Sequence, residues 1–570
     1  MNHTKTPTTT RHSALCILHS ALRLLLLAPA GVFAASAGTV FNVSNVDELT
    51  NALNSANAAN CEIRIAVGTY DLSGFVMRSG ESHLQLWSNG TTGRKIVGMG
   101  DGPEDTVLKA GATDGVRILG AHNAIVSNLT FTGASTTVNG GAVWFGSNGG
   151  GLYDCIVSNN TSTVSGGGVH SSYVTTIAGC LFEENSCTGT SASGGAIAAS
   201  KNLVVRDCVF RDNYAGNFGG AFDFGLSFDR CVFTGNEARV GGGVCRPASS
   251  GTRTLLRDCV FVGNHAPKGG VAYYGADWQR CAFVGNYASS GNGGVALATG
   301  LENVFTDCAF TNNYVLGNNS YSCFDRAAAA TNCVFFGNYG TTGGMGLIGT
   351  CGNVVGCTIS CNTGMPLVVG STLRNCVLTR NFGNRTNSNA LFGGCDLYNC
   401  LVAENVGGAH SMAQILNAYD TKPSRLFNCT VVTNRFSASG YSVASGVAVN
   451  TVFSRNVLAS GALQDIKDTT APAMTNCLYS VLSGDLPASA SGCVHAADPG
   501  FANAAAGDYT PAWKSPARNA GRGDADYLAA LGPVDLAGNP CVFLRDGQGA
   551  IDIGCLECQQ ASKATLVLVR

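Results

Sequence analysis

The sequence predicts an all-β fold, a single-stranded parallel β-helix (a solenoid of about 25 residues per coil) with a short N-terminal capping helix, and three observations predict it. First, a cysteine recurs as a phase marker at Cys155, Cys180, Cys208, Cys231, Cys259, Cys281, Cys308, Cys333, Cys357, Cys376, Cys400, Cys429 and Cys477, with Leu129 and Thr451 in the same slot. That makes 14 steps over the 348 residues from 129 to 477. Second, an asparagine stands five residues after nearly every marker, from Asn160 to Asn456. Third, a Gly-Gly pair follows in the earlier repeats, at Gly194-Gly195, Gly219-Gly220, Gly242-Gly243, Gly269-Gly270 and Gly293-Gly294. Short β-prone runs between turn residues, without apolar spacing of three and four, fit one coil of a β-solenoid and not a helical repeat.

Composition agrees with this class. The chain holds 570 residues, 75 of them glycine, with 12% charged residues and a net charge of −2, so no basic field points to nucleic acid. Lys5 and Arg11, the apolar run Leu24–Ala34 and the small-x-small tripeptide Ala35-Ser36-Ala37 read as an export signal cleaved after Ala37, or after Ala34. An uncleaved anchor is the alternative, but the run is short of the roughly 18 apolar residues a span needs. No later segment reads as a membrane-crossing helix. The expected organisation is a signal peptide over 1–37, a cap and first coils over 38–120, repeats over 121–480 and a C-terminal segment over 481–570.

Each element then has a physical reason. Ser44 and Asp47 make a capping-box-like start, after which Val46, Leu49 and Leu53 fall on one helical face. The run "EIRIAVGTYDLSG" at 62–74 is strand-like. Within a coil, the marker cysteine and the phenylalanine two residues on point the same way, and both are assigned to the interior. The opposite parity places Val209, Val232 and Val260 inside. Asparagine tolerates left-handed backbone and can bond to its stacked copies, so it marks a turn. Stacked markers have β-carbons about 5 Å apart where a disulfide wants about 3.8 Å, so these thiols are expected to be buried and unpaired. The off-phase cysteines (Cys187, Cys245, Cys323, Cys351, Cys361, Cys395, Cys493, Cys541, Cys555 and Cys558) are the better disulfide candidates. Cys555 and Cys558 form a lone CxxC, a weak zinc signal without a second pair.

Residues 39–135 resemble the N-terminal part of pectin-lyase-like β-helix proteins. The tetrapeptides FEEN (182–185), FRDN (210–213), FTGN (233–236), FVGN (261–264 and 283–286), FTNN (310–313) and FFGN (335–338), with GGAV at 140–143 and GGAI at 194–197, resemble the repeats of the polymorphic outer membrane protein family of autotransporter adhesins. The pieces "DPGF" at 498, "GDY" at 507, "SPARNAG" at 515, "DLAGNP" at 535 and "DIG" at 552 resemble a C-terminal segment of secreted bacterial β-helix proteins. These resemblances imply a right-handed parallel β-helix displayed outside the cell. Those autotransporters end in a large membrane barrel, which is not expected in this sequence.

Function is read from sites, because this fold hosts lyases, hydrolases and adhesins alike. No paired carboxylates or calcium-binding set stand out, so no catalytic, cofactor or metal residue is assigned. Before the markers run two charged columns of inverse phase: Asp207, Arg230, Asp258, Arg280, Asp307, and Arg206, Asp229, Arg257, Gln279, Thr306. They read either as an ion-pair ladder that fixes coil register or as a groove for an acidic glycan. His265 and Lys268, with Arg246 of the preceding coil, make the best basic cluster. The ligand-contact candidates are therefore Arg206, Asp229, Arg230, Arg246, Arg257, His265, Lys268 and Arg280. The expected function is that of an exported, non-enzymatic surface protein that contacts polysaccharide or a host or neighbouring cell. The alternatives are a polysaccharide lyase or glycoside hydrolase, and a structural surface component.

Overall fold

The structure, a computed structural model, describes residues 39–558 with interruptions, the longest at 74–83, 87–93 and 437–445. The segment read as an export signal and the terminal "KATLVLVR" lie outside the described residues. The chain divides into two compact units, residues 1–325 and 326–570. Each is built from right-handed parallel coils.

In the first unit, equal positions of successive coils pair in register. Thr130, Ile156, Leu181, Val209, Val232, Val260, Ala282 and Ala309 form one continuous parallel row. The marker before each of them is buried. Phe182, Phe210, Phe233, Phe261, Phe283 and Phe310 stack in file, with centroids 4.8–5.0 Å apart and planes within 2–15°. Cysteine and phenylalanine thus share the interior, while Val209 and Val232 turn partly outward. Each buried ring contributes roughly 1.5–3 kcal/mol of apolar burial. Burial holds the thiols of Cys180, Cys259 and Cys281 well above their ordinary pKa.

The marker asparagines form a second file inside the coil. The side-chain Nδ2 of Asn160, Asn185, Asn213, Asn236, Asn264 and Asn286 donates to Oδ1 of the next copy at 2.9–3.1 Å. The expected stacking is present, but these asparagines are not the left-handed residues. Positive φ falls one residue earlier, at Asn159, Glu184, Asp212 and Asn312, and again just before each cysteine, at Asp207, Arg230, Asp258, Arg280 and Asp307. The ladder side chain must point inward to reach its copy, so the preceding residue turns the chain.

The helix Val46–Ser55 buries Leu49, Ala52 and Leu53. Its cap is Asn45 and not Ser44 with Asp47: Asn45 Oδ1 accepts from Glu48 N at 2.8 Å, and the Glu48 carboxylate accepts from Ser44 N and Oγ at 2.7 and 2.9 Å. No helix among the described residues is long and apolar enough to cross a membrane.

The second unit repeats the scheme. Val334, Thr358, Val377, Leu401, Thr430, Val452, Leu478 and Val494 pair in one parallel row. The last pairing sets Cys493 beside Cys477, so Cys493 belongs to the marker file and is not off-phase. Residues 498–558 lie against these coils: Asn450 Nδ2 donates to Arg522 O at 2.9 Å, Cys555 N donates to Thr430 Oγ1 at 3.1 Å, and Tyr527, Leu531 and Ile551 are buried with Val449. All described cysteines are free thiols, including the off-phase set. The reason is again stacking: Cys187 sits in a file with Ala215, Ala238 and Ala266, and offers no second thiol to bond. Among the described cysteines only Cys361 is exposed.

Candidate functional site: the outward column of the Gly-Gly strands

The Gly-Gly pairs of the first unit place a column of side chains that the repeat pattern hides. Gly219 turns with φ 68°, and a β-carbon on Gly220 would lie 2.3 Å from the carbonyl oxygen of Gly243 in the next coil. Only glycine fits both places. The chain then enters a two- or three-residue strand with alternating sides. Ile197, Phe222 and Cys245 point into the core, and the residue after each lies on the opposite side of the strand, where Ala198 and Asp223 are themselves buried. That outward column runs Trp144, His170, Ala198, Asp223, Arg246. Tyr273 follows, after the bridge from Cys245 to Ala272.

Asp223 and Arg246 are its centre. Arg246 Nε and Nη2 bond the two carboxylate oxygens of Asp223 at 2.7 Å each, a bidentate pair. Asp223 is only 5% exposed. Burial holds its carboxyl above the ordinary carboxylate range, against the opposing pull of the Arg246 bonds. The guanidinium carbon lies 5.0 Å from the ring centres of both Phe218 and Phe224. Phe218 meets Tyr273 at 4.6 Å with planes at 47°, and Tyr273 meets Tyr274 at 5.3 Å and 69°. Gly241 makes room for this, because a β-carbon there would sit 2.3 Å from Tyr273 Cδ2. Phe224 is 37% exposed and has φ 59°. A bulky aromatic residue in left-handed backbone costs about 1–3 kcal/mol, and such outliers gather at functional sites.

The sequence-based candidates separate into three places. Arg230 bonds both oxygens of Asp207 at 2.7 and 3.0 Å and also contacts Asp229. Arg280 bonds both oxygens of Asp258 at 2.7 and 2.8 Å, and Arg257 bonds Asp229 at 2.9 Å. These pairs link successive coils. Arg206, opposite Asp229 in register, makes no ion pair among the described residues. His265 lies on a different strand series from Arg246, so the expected cluster of Arg246, His265 and Lys268 does not assemble around one point. Its ring stacks on Tyr287 at 4.9 Å and 2°, and its Nε2 is 3.3 Å from Glu237 Oε2. Lys268 is exposed, its stem running past Gly291. Of the eight candidates only Arg246 belongs to the aromatic cluster. Asp223, Phe218, Phe224, Tyr273 and Tyr274 went unnoticed because their column varies. A bulky, changing position inside an otherwise constant motif was the available signal.

The second unit has two further features. A shallow open concavity of about 500 Å³ is lined by Leu528, Ala529, Gly532, Pro533, Pro540 and Cys541, without a carboxylate. Asp535, Asp552 and Glu557 are buried. Their oxygens accept backbone N–H groups, among them Glu557 N to Asp535 at 2.9 Å and Asp552 N to Glu557 at 3.0 Å. No set of three metal-ligating side chains occurs among the described residues.

The family model described as "Right handed beta helix region" matches residues 104–245, within the first unit. No curated protein matches the chain. Among solved structures, a polysaccharide lyase of family PL6 from Pseudopedobacter saltans is 10% identical, with 82% of this chain and 94% of that one covered and a TM-score of 0.26. Tailspike protein 3 of bacteriophage CBA120 is 13% identical over 78% of this chain and 60% of its own, with a TM-score of 0.32. The rice weevil pectin methyl esterase is 11% identical over 45% of this chain and 84% of its own, with a TM-score of 0.26.

Proposed function

We propose that this chain is an exported, surface-displayed β-helix protein that contacts glycans without transforming them, and that the column around Asp223 and Arg246 is the contact. The observation that carries the reading is Phe224: an aromatic ring held partly in solvent on strained backbone, against an arginine whose position is fixed by a buried carboxylate. Nothing in the core requires that ring to be there. Aromatic faces beside a directed guanidinium donor suit a sugar ring, which offers apolar C–H faces and hydroxyl acceptors. The repeats resembling adhesin tetrapeptides and the N-terminal export signal support a place outside the cell.

Among the described residues the cluster offers one carboxylate, already bonded twice, and no second acid beside it. Hydrolysis needs two carboxyl groups across the scissile bond. An eliminating lyase needs a base free to take a proton. The non-enzymatic reading is therefore preferred over the lyase or hydrolase. Incubating purified protein with a panel of polysaccharides tests all readings together. Retention without unsaturated products or new reducing ends is expected; product formation identifies an enzyme, and neither retention nor product leaves a structural surface role.

A further inference from the structure

We infer that the glycan bound at this column is uncharged; the inference rests on the glycan-contact reading above and adds the class of ligand. The cluster cancels its own charge. Both carboxylate oxygens of Asp223 are taken by Arg246, so the pair is neutral as a unit. Asp223 is buried behind that pair, and no other arginine or lysine among the described residues bonds it. Arg246 uses Nε and Nη2 on Asp223, which leaves Nη1 without a hydrogen-bond partner among the described residues. A guanidinium corner whose charge is already met is a directional donor for a hydroxyl or ring oxygen, and a poor attractor of a carboxylate.

The rings tell the same story by their angles. His265, Tyr287 and Tyr314 stack coil on coil, 4.8–4.9 Å apart and within 7°, so each covers the face of the next and presents an edge. Phe218, Tyr273 and Tyr274 are tilted by 47° and 69°, so these rings do not cover one another face to face. Faces, not edges, take up the C–H surface of a sugar. In the neighbouring charged columns Arg230, Arg257 and Arg280 each bond an aspartate, while Arg206 makes no ion pair among the described residues. Lys268 is exposed and makes no ion pair among the described residues, and its stem runs past Gly291.

The test compares two soluble ligands of matched length, a neutral β-linked glucan oligosaccharide and an oligogalacturonate, by calorimetry with the full chain at low and high ionic strength. A Lys268→Ala variant is run in parallel. The expected result is binding of the neutral ligand, changed by less than about twofold by salt and by Lys268→Ala. Binding of the oligogalacturonate alone, lost in high salt or in Lys268→Ala, overturns the inference and leaves the glycan reading standing. Binding of neither ligand overturns both.

Discussion

Asn456 donates from Nδ2 to Asp465 Oδ1 at 2.8 Å, and its backbone N–H reaches the same oxygen at 3.1 Å. In the second unit this ends the polar file that runs through Asn338, Asn362, Asn381, Asn405 and Asn434. Every asparagine passes one donated bond to the next, so the last needs an acceptor with nothing left to donate. A carboxylate is that group. Its other oxygen accepts from Ser480 N and Val481 N at 3.2 and 2.9 Å. Asp465→Asn would turn an amide against one of these donor pairs. The expected loss is about 1–3 kcal/mol, read by urea denaturation. An unchanged midpoint would show that the file needs no carboxylate end.

The same logic applies within the file. Asn236 accepts from the N–H and Nδ2 of Asn213 and donates to Phe210 O and Asn264 Oδ1. Asn236→Ala strands several buried polar groups at once. A loss of about 3 kcal/mol is expected. Asn236→Asp should be no milder, since a carboxylate faces two acceptors it cannot supply.

Arg230 occupies left-handed backbone and clamps Asp207 of the preceding coil. It is 44% exposed, so the pair is worth at most about 1 kcal/mol. Arg230→Glu should lower the melting temperature by a few degrees at low salt and by less at high salt, while glycan retention stays at the wild-type level. Loss of retention with unchanged melting would return the charged columns to the role of a binding groove.

Glu557 supplies a pH dependence. Burial, then the nearby charges of Asp552 and Asp535, push its carboxyl up to about 10. An unfolded glutamate releases its proton near 4.3 or so. Between those values folding takes up a proton, so this group's stabilisation is fully present below about 4.3 and falls as pH rises, by at most about 1.4 kcal/mol per unit. Glu557→Gln keeps the shape and removes the titration. Its stability relative to wild type should grow between mildly acidic and mildly alkaline buffer. Parallel pH curves for the two proteins would contradict this.

Much of this fold was legible before any coordinates, because stacking forces equal positions to touch. Thiol and ring two apart predicted the files of Cys208 and Phe210, and Asn213 predicted its amide bonds. The left-handed residue was misplaced by one position because asparagine suits both a turn and a ladder, and only geometry shows which it serves. Cys493 slipped out of phase because the last coil is short: Leu478 pairs with Val494 after 16 residues. The candidate site was the least legible part. Arg246 was noticed for its charge, but Asp223 and Phe224 stand where each coil differs from the next, and a search for repetition passes over them.

The most direct measurement of the central claim is retention of a Phe224→Ala, Tyr273→Ala double variant on the polysaccharide that holds the wild-type protein best. The account predicts at least about a tenfold loss of affinity, the equivalent of 1.4 kcal/mol, with the melting temperature little changed. Undiminished retention in a folded double variant would contradict it and move the contact elsewhere on the coils.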